Sequence, residues 1–288
     1  MSVRSSVGRA PRFLASEASL LYRRMRPARA SSARIVYYHR IDAEQHRSCV
    51  APEAFAAQMR LLRREDWNVI SLDQVAEHLA TGRPFAARTI AVTLDDGFAD
   101  NYTAGFPVLV RESIPATIFL TAAYIGTAAL PVLSNHAAPA PLSWEQVAEM
   151  ARHGIAFGAH TMTHRSLVEL DAPEMRHEIV ESRRLIEERA GLRVESFCYP
   201  RGFFDAAVKQ AVRDAGYRLA CTTMPGVVTR DTHPFSLRRT FIARDDSLRD
   251  FRKKLDGAFD SLHAALQWWH GTGHSRDDSP GPAKQPAA

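Results

Sequence analysis

The chain has 288 residues, 45% of them hydrophobic, enough to bury the core of one sizeable catalytic domain without requiring two. Its net charge of +5 is concentrated in a leader: the first 34 residues hold eight arginines and one acid, for +7, so the remaining 254 sum to −2. A nucleic-acid-binding domain is therefore not expected, and no apolar run approaches the ~20 residues of a membrane span.

Taken in order, residues 1–33 read as a flexible, basic arm able to touch anionic surfaces, without the continuous apolar stretch of a secretory signal. A cytoplasmic location is expected, and the number of subunits is not written in the sequence. Strand-like runs near residues 34–38, 68–71, 89–94, 116–121, 155–159, 195–199, 218–222 and 238–242 alternate with helical patterns over 52–64, 72–79, 100–111, 143–152, 173–189, 204–215 and 247–268. Such alternation predicts parallel β/α units. Ser143 with Gln146 forms a capping box, and Asp171, Pro173 and Glu174 mark another helix start.

The run Thr89 to Leu94 ends in Asp95-Asp96-Gly97. Two carboxylates at the C-terminal end of a buried strand lie where α/β folds place their active sites. Their side chains leave the strand in opposite directions and a glycine turn can re-aim them, which allows different tasks; a plain turn before the helix near Asp100 is the alternative. A second apolar run, Ile155 to Ala159, delivers His160 and His164. Two imidazoles at that spacing face one ion, and with Asp96 they make an open nitrogen, nitrogen, oxygen set for Zn²⁺ or another divalent ion such as Co²⁺ or Ni²⁺.

Further along, the small-residue segment from Ala123 to Leu142 reads as a long loop at the functional face, its His136 solvated. Trp67, Trp144, Trp268 and Trp269 read as packing. Cys49, Cys198 and Cys221 lack metal-type spacing and read as free thiols. Residues 271–288 turn to Gly, Ser, Pro and Ala and are expected to be disordered, leaving 34–270 as the catalytic domain.

These motifs resemble those of the polysaccharide deacetylases with the NodB-homology domain, carbohydrate esterase family 4. Thr93-Leu94-Asp95-Asp96-Gly97 is similar to the family's Thr-Phe-Asp-Asp-Gly, and His160-Thr161-Met162-Thr163-His164 to its His-Ser/Thr-x-x-His. Phe197-Cys198-Tyr199-Pro200-Arg201-Gly202 is similar to the aromatic-Pro-x-Gly wall of its sugar groove, where Tyr199, Phe203 and Phe204 would lie. The resemblance covers most of the chain and implies a distorted (β/α) barrel of about seven parallel strands. It also implies metal-dependent removal of N-acetyl groups from a sugar polymer or sugar precursor. Asp96, His160 and His164 would hold the metal, Asp95 would act as base, and the backbone N–H of Tyr199 would stabilise the oxyanion.

Two departures stand out. Leu237-Arg238-Arg239 replaces the family's C-terminal Leu-x-His. The opening Tyr37-Tyr38-His39 instead resembles the exopolysaccharide branch, in which an N-terminal histidine is the acid; His39 is nominated, with His233 competing. Position 196 is Ser and position 197 Phe where the family has an arginine that orients the catalytic aspartate. Arg239 is the expected substitute. The rival readings are a carbohydrate-binding protein with weak catalysis, and an amidase or deformylase on a nucleotide- or lipid-linked sugar.

Overall fold

The computed structural model describes residues 31–129 and 140–260. His136, Trp268, Trp269, the tail from 271 and most of the basic arm lie outside the described residues. The strands are β1 (Ser32–Tyr38), β2 (Asn68–Val69), β3 (Thr89–Leu94), β4 (Ala116–Leu120), β5 (Ala156–Ala159), β6 (Ser196–Cys198), β7 (Leu219–Cys221), β8 (Val228–Thr229) and β9 (Thr240–Phe241). The helices are α1 (Pro52–Arg64), α2 (Leu72–Thr81), α3 (Phe106–Arg111), α4 (Trp144–Arg152), α5 (Ala172–Ala190), α6 (Ala206–Asp214) and α7 (Leu248–Leu255).

Strands β1, β3, β4, β5, β6 and β7 lie side by side and parallel. Cys221 of β7 makes a parallel bridge to Leu237, and β9, just beyond, pairs in parallel with β1. Seven parallel staves thus close into the distorted barrel that the alternation and the resemblance predicted. Strand β2 pairs with the first residues of β3, and β4 with the last ones. The two-residue β8, antiparallel to β1, was not foreseen.

Strand alternation sorts the core into two layers. Ala33, Ile35, Ala91, Phe119, Cys198, Leu219, Cys221 and Leu237 fill the barrel interior, together with Leu72, Val75 and Ala76 of α2. The intervening residues, such as Val36, Tyr38, Val92, Leu94, Ile118, Leu120, Phe197 and Tyr199, pack against the outer helices. Each fully buried large aliphatic or aromatic side chain contributes roughly 1.5–3 kcal/mol.

The expected caps are present: Ser143 and Gln146 form a capping box, and Asp171 accepts from the N–H of Glu174. Two helices differ from expectation. The segment from Asp100 opens as a π-turn over Asn101–Gly105 before α3 begins, since Pro107 has no N–H to give to an α-helical turn. Helix α7 ends at Leu255 and Gly257 follows at φ 74°, and the part of the expected helix from 261 to 268 lies outside the described residues.

Candidate active site

Asp95, His160 and His39 at the C-terminal edge are delivered by the inward parity of their strands, whereas Asp96 and His164 are placed by turns. Ala91 and Thr93 of β3 face inward, and so does Asp95. Alternation would send Asp96 outward. Its backbone instead sits at φ 77°, followed by Gly97 at 81°, and this left-handed pair turns the carboxylate back to the barrel mouth. A Cβ on Gly97 would come within 2.8 Å of Leu120, so the turn needs glycine on both counts. The left-handed φ of a non-glycine residue costs about 1 kcal/mol and marks a functional turn.

There Asp96 Oδ1 lies 3.5 Å from Nε2 of His160 and 3.5 Å from Nε2 of His164. The three ligand atoms lie within 4.8 Å of one another. Asp96 Oδ1 is buried with no hydrogen-bond partner, a costly arrangement unless a cation answers it. The Nδ1–H of His160 donates to the carbonyl of Cys198 at 2.7 Å, which leaves the Nε2 lone pair for the pocket. Burial keeps both imidazoles neutral: it lowers His160, and with the neighbouring Arg201 charge it holds His164 at about 2. Burial, reinforced by Asp95, pushes the Asp96 carboxyl well above the usual range. Two neutral nitrogens and an orphaned carboxylate oxygen fit a divalent cation.

Asp95 has a different partner. Arg239, fully buried, grips it through two bonds of 2.7 Å. The same guanidinium donates to the Thr222 carbonyl at 2.8 Å, Thr93 Oγ1 at 3.2 Å and Cys198 Sγ at 3.0 Å, and its carbon lies 4.2 Å from the Tyr37 ring centre. Burial pushes the Asp95 carboxyl up, but Arg239 more than offsets this and holds it at about 2. The expected substitute for the missing upstream arginine therefore reaches the aspartate. Asp95, His160 and Cys198 also cluster, yet Asp95 is held by Arg239, and burial pushes the Cys198 thiol well up. That trio is not a ligand set.

His39 continues the inward face of β1. Its ring lies 5.7 Å from those of Tyr37 and Phe241, its Nδ1 is buried without a partner, and burial lowers its pKa to about 4. The charges of Asp95, Arg239 and His160 all reach it. The competing His233 is exposed, on the segment that enters the barrel before Leu237, and its Nδ1 accepts from the N–H of Phe235 at 3.1 Å. The structure brings His39, and not His233, to the carboxylates.

Tyr199 requires correction. Its N–H donates to the Cys221 carbonyl at 3.1 Å in the β6–β7 ladder, and is not free for an oxyanion. Its hydroxyl donates to the Phe235 carbonyl at 3.1 Å, and its ring stacks on Phe204 in the outer core. Of the three expected groove aromatics only Phe203 is half-buried; Tyr199 and Phe204 are buried.

Glu178 of α5 was missed by sequence reasoning. Its Oε2 accepts from the N–H groups of Met162 and Thr163 at 2.8 and 2.9 Å, and its Oε1 from the Thr163 hydroxyl. It clamps a loop in which Thr161 and His164 both take left-handed φ angles, 66° and 62°. Asp100 and Asn101 do the same for β1: Asp100 accepts from the Ile41 N–H and from Arg40, and Asn101 donates to the His39 carbonyl at 2.8 Å. Helical acids carry no local sign of such service.

Among the described residues no helix is long and apolar enough to cross a membrane. Residues 82–220 match the family model for polysaccharide deacetylase. The Bacillus subtilis protein YxkH, whose name carries the same family, is 28% identical over 209 residues, spanning 73% of this chain and 71% of that one. A poly-β-1,6-N-acetyl-D-glucosamine N-deacetylase of Staphylococcus epidermidis is 24% identical over 217 residues, covering 72% of each. In three dimensions the chain is similar to the Streptococcus pyogenes deacetylase PplD in complex with acetate, with a TM-score of 0.69 and 22% identity, over 78% of this chain and 99% of that one. It is equally similar to IcaB from Ammonifex degensii, with a TM-score of 0.69 and 23% identity, over 79% and 97%.

Proposed function

Because this chain belongs to the polysaccharide deacetylase family, we propose that it removes N-acetyl groups from a sugar polymer, with a divalent ion, most fittingly Zn²⁺, held by Asp96, His160 and His164. The observation that carries this reading is the pairing of two unlike carboxylates at one strand end. One is gripped by Arg239, and its neighbour is left orphaned between two neutral imidazoles.

When bound, such an ion supplies Lewis acidity toward the acetyl carbonyl and lowers the pKa of an adjacent water. Asp95 is the residue that receives the water's proton. Arg239 fixes its two oxygens, keeps it ionised and leaves it oriented for that single task. His39 stands at the end of β1, the strand paired beside β3, as proton donor to the departing nitrogen. With its pKa lowered to about 4 by burial, it rests neutral near pH 7, so the proton it gives the nitrogen is the one Asp95 took from the water, passed on before the C–N bond breaks. The rings of Tyr37 and Phe241 hold it in place. With Tyr199 engaged in the ladder, the chain's oxyanion donor is not that N–H.

Residues 34–270 are taken as the catalytic unit. The cytoplasmic placement belongs to the same proposal and is supported by three free, buried cysteines. Protein stripped of metal and reloaded with Zn²⁺ or Co²⁺ should release acetate from β-1,6-linked N-acetylglucosamine oligomers only when loaded. Stoichiometric metal binding without acetate from any N-acetylated sugar would defeat the proposal and favour a binding role.

A further inference from the structure

Apart from the metal-facing Asp96, the carboxylates named here around the mouth of the site are committed. Asp95 is held by Arg239, Arg40 pairs with Asp42, Glu44 and Asp100, Lys254 pairs with Asp246, and Glu178 receives the loop N–H groups. Two arginines at the same rim have no such partner among the described residues. Arg47 is exposed, and its guanidinium carbon lies 5.3 Å from the Phe241 ring centre, on the side where Phe241 meets His39. Arg201 is exposed on the other side, three residues beyond the Cys198 carbonyl that holds His160.

The backbone at Arg201 is strained for a side-chain-bearing residue, with φ 57° between Pro200 and Gly202. Its position is fixed by its carbonyl, which accepts from Thr223 Oγ1 at 3.1 Å, and by Gly202, whose added Cβ would come within 2.1 Å of that same oxygen. The guanidinium is left unpaired, and its charge is felt at His164. A planar, permanently charged fork beside a substrate pocket is suited to carboxylate or phosphate oxygens, whereas a neutral sugar leaves it solvated.

We propose that Arg201, supported by Arg47, reads an anionic group on the substrate. The preferred glycan would then carry a negative charge, a uronate or a phosphodiester, on a sugar adjoining the N-acetylated one. This selectivity rests on the deacetylase reading above.

The test compares kcat/KM for acetate release by the metal-loaded full chain on three probes: neutral N-acetylglucosamine pentamer, hyaluronan hexasaccharide, and an N-acetylglucosamine oligomer bearing a methyl phosphodiester. At least one anionic probe should exceed the neutral one by about tenfold, the worth of one charge-assisted contact. Arg201→Gln should erase most of that ratio and Arg201→Lys retain part of it, and the ratio should shrink as salt rises from about 0.05 to about 0.5 M. The better anionic probe identifies uronate or phosphodiester. A neutral probe turned over as well as both anionic ones, or a ratio unmoved in Arg201→Gln, would overturn the inference while leaving the deacetylase reading intact. Acetate from none of the three would remove the reading on which it rests.

Discussion

Two buried arginines at nearly the same level of paired strands, one turned outward and one into the barrel, make nearly the same bonds and do different things. Arg34, near the start of β1, donates to both oxygens of Asp260 at 3.0 Å, to the Leu255 carbonyl at 3.0 Å and to Thr240 Oγ1 at 2.8 Å. Arg239, just before β9, grips Asp95 in the same two-pronged way. What differs is the surroundings. Beside Arg239 lie Asp96 Oδ1 and His39 Nδ1, both buried without partners, and the backbone takes left-handed φ at Asp96, Thr161 and His164. A buried ion pair alone marks packing; orphaned acceptors and local strain mark the side where a ligand completes the structure.

The comparison breaks most visibly if each arginine is removed. Arg239→Met should cost about 3–5 kcal/mol in urea unfolding, the price of stranding the buried Asp95, and Arg34→Met less, because Asp260 keeps part of its carboxylate in water. The milder Arg239→Lys should also slow acetate release by at least about a hundredfold, because one ammonium cannot hold both oxygens of Asp95. Arg34→Lys should leave turnover per folded molecule within about twofold, an expectation that unequal active-site titres would expose. If Arg34→Lys and Arg239→Lys slow the reaction equally, the two ion pairs do not differ in the way described.

Glu178→Gln sharpens the second feature. It keeps the shape but weakens acceptance of two loop N–H groups, and should lower metal affinity by about 10–100-fold in chelator competition. Unchanged affinity would mean that the histidine loop holds itself. The smallest effect concerns His39 in metal-free protein. Its folded pKa of about 4 lies below the unfolded value of about 6.5, so the folded state binds fewer protons. Nothing is lost above pH ~6.5, stability falls as pH drops through the window, and the loss is complete below about 4. Since the ring is partly exposed, roughly 2 kcal/mol is expected, and His39→Gln should flatten the slope of unfolding midpoint against pH between those limits. A variant as acid-sensitive as the parent would refute it.

Much of the architecture was readable because β/α alternation and capping boxes are local signals. The staves carrying Asp95 and His160 and the helix opening at Ser143 fall where the pattern put them. The two motifs also contained Asp95, Asp96, His160 and His164, since adjacent carboxylates and spaced histidines are rare at strand ends. The rest is set by contacts across the chain. Arg239 meets Asp95 over 144 positions, a distance at which sequence offers no register. Glu178 looks like any acid on a long helix until the helix docks on the histidine loop. Tyr199 misled because strand parity, invisible in a three-residue strand, turns its ring outward and ties its N–H into the ladder.

The central claim is that Asp95 and Asp96, adjacent in sequence, hold separate offices. Metal stoichiometry and acetate release measured side by side on Asp95→Asn and Asp96→Asn test it. The account predicts that Asp95→Asn binds one ion per chain yet loses about 10²–10⁴ in kcat, as removal of a general base does. Asp96→Asn should lose the ion itself. Full turnover in Asp95→Asn, or undiminished metal binding in Asp96→Asn, would contradict it.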